Sequence, residues 1–78
     1  MAEIKADITL DARGLTCPMP VLRTKKAIDG ISSGQVLEVI ATDVASKADI
    51  PALINRLGHE ILEIKEAEGA ISFLIRKK

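Results

Sequence analysis

Cys17 is the one side chain of this sequence that can supply a thiol, because the 78 residues contain no other cysteine. It lies between a glycine-containing loop and two prolines: residues 14–20 read Gly-Leu-Thr-Cys-Pro-Met-Pro. Pro18 suits the first position of a helix, where its missing N–H breaks no hydrogen bond, so we predict that a helix starts there, with Cys17 as its N-cap or as the last loop residue. The unpaired N–H groups and the dipole of a helix start favour negative charge. The position therefore predicts a stabilised, reactive thiolate.

A lone cysteine can also be a small buried side chain without chemistry. Here the polar Thr16 before it and Pro18 after it favour an accessible junction between loop and helix. Without a second cysteine, no disulfide can form within the chain. A reactive Cys17 would therefore carry a group on its sulfur and hand it to a partner molecule.

Composition excludes several other classes of function. With 11 basic and 11 acidic residues, zero net charge and 1% aromatic residues, we expect no direct nucleic-acid binding. No apolar run could span a bilayer and the N-terminus lacks the apolar core of a signal peptide, so we expect no membrane contact and a cytoplasmic protein. One cysteine and one histidine fall short of a zinc site, and we expect no metal and no cofactor.

The hydrophobic pattern predicts one domain over residues 1–78, with elements in the order β-α-β-α-β-β. A first strand alternates up to Leu10 and is followed by a loop over residues 11–16. The first helix is predicted to end near Ile28. Together the elements predict an α/β fold, a two-layer sandwich with two helices on one face of a four-stranded mixed sheet. The predicted inward side chains of the first helix are Val21, Leu22, Ala27 and Ile28.

Pro51 and the glycines shape the prediction for the second half of the chain. The aliphatic segment 35–41 predicts a strand covered on both faces. Pro51 disfavours one long helix, so we predict a short helical turn over residues 44–47 and a separate helix capped by Asp49. Two further strands are predicted, over residues 61–67 and 70–76. The tight turn at residues 68–69 joins them into a hairpin.

The segment around Cys17 resembles a known family signature. Residues 10–21 read Leu-Asp-Ala-Arg-Gly-Leu-Thr-Cys-Pro-Met-Pro-Val. This is similar to the TusA/SirA family of small bacterial sulfur carriers, marked by a Cys-Pro-x-Pro motif after an Asp-x-x-Gly segment. The resemblance covers nearly the whole chain. It implies that Cys17 holds a persulfide, as a sulfurtransferase-like carrier rather than a stand-alone enzyme, and that Asp11, Gly14, Pro18 and Pro20 shape its loop.

The resemblance also implies partners. A cysteine desulfurase or a rhodanese-like protein would donate sulfur, and a DsrE-like or other cysteine-bearing protein would accept it. The relay would end in tRNA thiolation, cofactor synthesis or sulfur oxidation. The middle motif residue here is Met19, where the best-known carriers of the tRNA pathway have an acidic residue. A shuttle of this kind works as a monomer, which we expect here.

Charged residues near Cys17 admit two interpretations each. Arg13, Arg23, Lys25 and Lys26 fit a basic docking rim beside Cys17. For Lys25 and Lys26 a solvated helix face fits equally well, whereas Arg13 lies on the loop itself. Met19 is either a soft contact for a partner or a side chain packed on the sheet. Asp11 is expected to orient the loop rather than to accept a proton, because a carboxylate beside the thiolate opposes its ionisation.

Two other functions stay open on the sequence. A non-catalytic regulatory or nucleic-acid-associated binding module would keep its binding surface after Cys17→Ser. A thiol redox sensor would react with peroxide rather than with sulfane sulfur. A Cys–His nucleophile pair is not expected, because His59 starts the third strand and should lie at the other end of the sheet.

Overall fold

The computed structural model describes residues 6–16 and 18–78. In these ranges the chain forms β1 (Ile8–Ala12), α1 (Met19–Asp29), β2 (Val36–Ala41), α2 (Ser46–Leu57), β3 (Glu60–Ala67) and β4 (Ala70–Arg76). The predicted α/β class and the β-α-β-α-β-β order are confirmed. No helix of these ranges is long and apolar enough to cross a membrane.

The four strands form one mixed sheet in the order β1-β2-β4-β3. β1 runs parallel to β2, while β4 runs antiparallel to both of its neighbours, β2 and β3. Alternate residues of β2 are buried and half-buried. The prediction that β2 is covered on both faces is therefore wrong, because both helices pack on the same face of the sheet. That face carries the strand residues of the core: Ala12, Leu37, Val39, Ala41, Ile71, Phe73 and Ile75.

The loop before Cys17 begins two residues later than predicted, and the helix that follows it begins one residue later. β1 continues through Asp11 to Ala12, because its pairing with β2 extends to Ala41. The helix begins at Met19, and Pro18 is its N-cap, accepting the first helical hydrogen bond from the Leu22 N–H at 3.1 Å. The prediction of Pro18 as the first helical residue is wrong by one position. Cys17, predicted as the N-cap or the last loop residue, lies outside the described residues.

One stripe of α1 faces the core at a spacing of four residues. Pro20, Thr24 and Ile28 are buried, and the Thr24 hydroxyl donates to the Pro20 carbonyl at 2.7 Å. Leu22 lies about 200° around the helix from Pro20 and from Thr24, since each residue turns the helix by about 100°. Its side chain is 54% exposed. The prediction that Leu22 faces inward is therefore wrong.

α2 is one helix, and the predicted break before Asp49 is wrong. The turn predicted over residues 44–47 merges into it through tight i→i−3 hydrogen bonds, from Ser46 to Asp43 and from Lys47 to Val44. Pro51 lies inside the helix and cannot donate to the Lys47 carbonyl. The helix nevertheless continues to Leu57.

The hairpin of β3 and β4 is confirmed. Glu68 and Gly69 both have positive φ, 51° and 79°, as a type I′ turn requires. Phe73 in β4 is fully buried beside Val39 of β2. The hairpin thus completes the sheet and supplies the single aromatic ring of the core.

The burial pattern of α1 predicts a large difference between two alanine variants of the same helix. Ile28→Ala should lower the free energy of unfolding by about 2–5 kcal/mol, because it removes a fully buried side chain. Leu22→Ala should lower it by less than about 1 kcal/mol. Urea unfolding followed by circular dichroism measures both, since the chain has no Trp or Tyr. Equal losses for the two variants would contradict the orientation of α1.

Candidate functional site

The loop that contains Cys17 joins the end of β1 to the start of α1. β1 and β2 are parallel, with Ala12 beside Ala41, so the residues that follow both strands lie at the same edge of the sheet. The cysteine loop is therefore adjacent to the β2–α2 connection, residues 42–45. In mixed α/β sheets this carboxyl edge of the parallel strands is the usual place for a functional site.

A tight turn follows β1. The Leu15 N–H donates to the Ala12 carbonyl at 3.3 Å, and Gly14 has φ of +81°. A glycine with positive φ at the third position is typical of a type II turn. A Cβ on Gly14 would meet no atom within 4 Å, so glycine is needed here for its conformation and not for space. The partly buried Leu15 side chain packs against the hydrophobic core and so anchors the turn to it.

Asp11 and Arg13 form a bidentate ion pair at this turn. Arg13 donates from Nε to Oδ1 at 2.9 Å and from Nη2 to Oδ2 at 3.0 Å. The Arg13 backbone N–H also donates to Oδ1, at 3.1 Å. The side-chain hydrogen bonds of Arg13, followed by its backbone bond, lower the pKa of Asp11 from 3.8 to about 2. Asp11 is thus an ionised carboxylate bound to the turn, the arrangement expected of a loop-orienting residue.

Thr42 binds the same turn from the other side. The Gly14 N–H donates to the Thr42 hydroxyl oxygen at 2.9 Å. The next residue, Asp43, accepts from the Ala45 N–H at 3.1 Å through its side chain and from the Ser46 N–H at 3.0 Å through its carbonyl. Thr42 and Asp43 therefore connect the cysteine loop to the start of α2. Sequence reasoning missed Thr42 because the residue it binds is 28 positions away.

The residues on either side of Cys17 are both exposed. The Thr16 carbonyl accepts a hydrogen bond from the Met19 N–H at 2.9 Å, which joins the loop to the helix start. Pro20 lies at the second helical position, where a missing N–H costs no helical bond, and its side chain is buried. Of the predicted support residues, Asp11, Arg13 and Gly14 thus form one turn, while the two prolines begin the helix.

The start of α1 carries little negative charge of its own. Among the described residues, α1 has no side-chain cap and no acidic residue in its first turn. The positive end of the helix dipole is therefore not neutralised by a carboxylate of the helix itself. An anion at this helix start would interact favourably with it.

The predicted docking residues all lie on the solvent side of α1. Met19 is 37% exposed, and both Arg23 and Lys26 are exposed. Beside them a groove of about 380 Å³ runs between the two helices. Sequence reasoning missed this groove, because half of its wall comes from α2, which the sequence pattern alone does not place beside α1. The residues that line it are Val21, Leu22, Lys25, Leu53, Arg56 and Leu57.

His59 lies at the opposite edge of the sheet. It precedes β3, which runs in the same direction as β1 and β2, so it is at the amino ends of these strands. Its Nδ1 accepts a hydrogen bond from the Lys78 backbone N–H at 3.1 Å. The expectation that His59 lies far from the cysteine loop is confirmed for the loop residues that the structure describes. Among those ranges, no three His, Cys, Asp or Glu side chains are grouped as metal ligands.

Comparisons with known proteins agree with this architecture. Residues 8–77 match the family described as Sulfurtransferase TusA. The Sulfur carrier protein TusA of Allochromatium vinosum is 52% identical over 71 residues, which cover 91% of this chain and 93% of that protein. The Putative sulfur carrier protein YrkI of Bacillus subtilis is 47% identical over 74 residues, covering 95% of this chain and 99% of the relative.

A solved structure shares the fold. The crystal structure of a SirA-like protein from Desulfitobacterium hafniense superposes with a TM-score of 0.78 and 32% sequence identity, covering 88% of this chain and 95% of that one. A sulfur carrier needs one partner that supplies sulfur and another that receives it. The family match over nearly the whole fold, with curated relatives of similar length, shows that this chain belongs to the TusA/SirA-like family and is a sulfur carrier.

Proposed function

We propose that Cys17 is the residue that carries the sulfur, as a persulfide. The observation that carries this proposal is that Cys17 is the only cysteine of a sulfur-carrier chain. The two methionines hold thioether sulfur, which has no proton to lose and forms no thiolate. Cys17 is therefore the one side chain able to attack sulfane sulfur and hold it covalently.

Loading and unloading are two exchanges at sulfur. In the first, the Cys17 thiolate attacks the outer sulfur of a donor persulfide, a new S–S bond forms on Cys17, and the donor S–S bond breaks to release the donor thiolate. In the second, an acceptor thiolate attacks the outer sulfur on Cys17 and releases the Cys17 thiolate. Each step breaks one S–S bond and forms another, so no external oxidant or reductant is consumed.

The charges around the loop suit a carrier that must release its cargo. A persulfide is an anion at neutral pH, and a helix start stabilises an anion by about 0.3–1 kcal/mol. The nearby carboxylate of Asp11 is bound by Arg13, which offsets its negative charge. Stabilisation of this size favours the loaded state without trapping it.

We assign loop support to the residues that shape the two ends of the loop. Asp11 and Arg13 brace the turn, and Gly14 supplies its positive φ. Pro18 and Pro20 restrict the backbone where the helix begins. A braced loop presents the thiolate in few orientations, which favours attack along the axis of the donor S–S bond.

Partner docking is assigned to the solvent side of α1 and the adjacent groove. The groove begins at Val21 and Leu22 in the first turn of α1, so a partner that reaches the loop before this helix would also lie over the groove. The groove has an apolar wall, with Lys25 and Arg56 in its lining. Met19, Arg23 and Lys26 extend this surface. It fits a partner that offers a protruding apolar side chain flanked by carboxylates.

For the relay we propose a cysteine desulfurase or a rhodanese-like protein as donor, and a DsrE-like or other cysteine-bearing protein as acceptor. The chain would act as a monomeric domain over residues 1–78 in the cytoplasm, where a free thiol stays reduced. The sulfur would pass to tRNA thiolation, cofactor synthesis or sulfur oxidation. Direct contact with nucleic acid is not part of the proposal, in line with the zero net charge.

The first test is sulfur loading followed by intact-protein mass spectrometry. Wild type is incubated with a cysteine desulfurase and cysteine, and separately with a rhodanese and thiosulfate. We expect a gain of one sulfur atom from at least one donor, reversed by reductant, and no gain on Cys17→Ser.

Alkylation of unloaded wild type is the control for access to the thiol. An alkylated but never sulfur-loaded Cys17 would contradict the carrier role of this residue. Oxidation of the same thiol by peroxide in that case would favour a redox sensor. A reductant-sensitive sulfur gain on Cys17→Ser would also contradict the proposal.

A charge reversal in the groove tests docking. Arg56→Glu should slow loading from the effective donor by about tenfold, the effect of losing about 1.4 kcal/mol of charge complementarity. Lys65→Glu, the same charge change on β3, is the matched control and should leave the rate within about twofold. Equal slowing by both variants would show a non-specific effect of net charge and would contradict docking at the groove.

The ion pair of Asp11 predicts a pH dependence. The pKa of Asp11 is lowered, so the ion pair is fully formed above the ordinary value of 3.8 and is lost as the pH falls through about 2. Carbon-detected NMR titration of the carboxyl group should therefore show a midpoint near 2. Arg13→Ala should return the midpoint toward 3.8, whereas Arg23→Ala should not move it. An ordinary midpoint in wild type would show that the pair does not form in solution.

A further inference from the structure

We infer that Thr42 is a positioning residue for sulfur transfer, whose hydroxyl holds the cysteine loop against the end of β2. This inference rests on the proposed role of Cys17 and adds a residue that acts through the loop rather than by touching sulfur. Its basis is the 2.9 Å hydrogen bond from the Gly14 N–H to the Thr42 hydroxyl oxygen.

This bond differs from the other hydrogen bonds described above for the loop. The bonds of Arg13 to Asp11, of Leu15 to Ala12 and of Met19 to Thr16 join residues within three positions of each other. They connect the loop only to β1 and α1, the elements that precede and follow it in the chain. The bond between Gly14 and Thr42 spans 28 residues and ties the turn to a different element.

Thr42 is held in place by β2, which is paired with a strand on each side. It follows β2 directly, and β2 pairs with β1 on one side and with β4 on the other. The preceding residue, Ala41, is fully buried. On the loop side, Gly14 comes three residues before Cys17, so the bond fixes the direction in which the chain approaches the cysteine.

Thr42 is itself exposed and contributes nothing to the hydrophobic core. Its role can therefore be separated from stability with two variants of similar size. Thr42→Val keeps the branched shape but removes the hydroxyl acceptor, while Thr42→Ser keeps the hydroxyl and removes only a methyl group.

Loss of the bond between Gly14 and Thr42 should affect both the orientation of the cysteine loop and the ionisation of the Cys17 thiol. The favourable effect of a helix start on an anion falls off within one turn, so a loosened loop holds the thiolate in that field for less of the time. We therefore expect Thr42→Val to move the midpoint of the alkylation–pH profile of Cys17 to higher pH. We also expect it to slow loading by about three- to tenfold, the effect of one hydrogen bond.

The experiment compares wild type, Thr42→Val and Thr42→Ser by three measurements. Iodoacetamide alkylation across pH reports thiolate formation, and loading from the donor that serves wild type reports transfer. Hydrogen exchange of the Gly14 amide reports the bond itself. We expect faster exchange, a higher alkylation midpoint and slower loading for Thr42→Val, all restored in Thr42→Ser. The urea midpoint should fall only slightly for Thr42→Val, because one exposed hydrogen bond is lost, and should keep the wild-type value for Thr42→Ser.

Two results would overturn the inference. One is a Thr42→Val variant with wild-type alkylation and loading. The other is a Thr42→Ser variant as impaired as Thr42→Val, which would assign the effect to the methyl group. If wild type alkylates but never loads, the role of Cys17 as carrier fails, whereas the exchange and alkylation profiles still decide whether Thr42 positions the loop.

Discussion

The parallel pairing of β1 with β2 is the constraint on which the site depends. Parallel neighbours cannot be joined by a tight turn, so the chain must cross the sheet, and α1 makes that crossing. The same pairing places the ends of both strands at one edge of the sheet. The cysteine loop, Thr42 and the starts of both helices meet there for that reason, although 28 residues separate Gly14 from Thr42.

α1 serves the core and the site at the same time. Its buried stripe of Pro20, Thr24 and Ile28 fixes the helix on the sheet, and this in turn fixes where the helix begins. The opposite side is left free, with Leu22 on the wall of the groove and Met19 near the helix start. A small domain can thus combine a stable core with the proposed docking surface, because the two fall on different sides of one helix.

The sequence predicted the element order and the hairpin, because these depend on local patterns of alternation, proline and glycine. Three predictions from the sequence were wrong: that Leu22 faces the core, that α2 is broken before Asp49, and that both faces of β2 are covered. Each of these errors concerns a relation between distant segments. Leu22 has an apolar side chain, but its direction is set by which stripe of α1 meets the sheet. Pro51 disfavours a helix locally, yet the packing of Ile50 and Ile54 against the core keeps α2 continuous.

The sequence by itself determined the chemistry: one thiol in the whole chain, placed between a glycine turn and a proline-marked helix start, in a chain of zero net charge. Only the tertiary structure decided what surrounds that loop. The hydroxyl of Thr42 and the groove wall from Leu53 and Arg56 come from other segments. The physical reason is that residue type and local backbone preference are encoded by neighbours in the chain, whereas hydrogen bonds and grooves between elements depend on how the helices and strands pack.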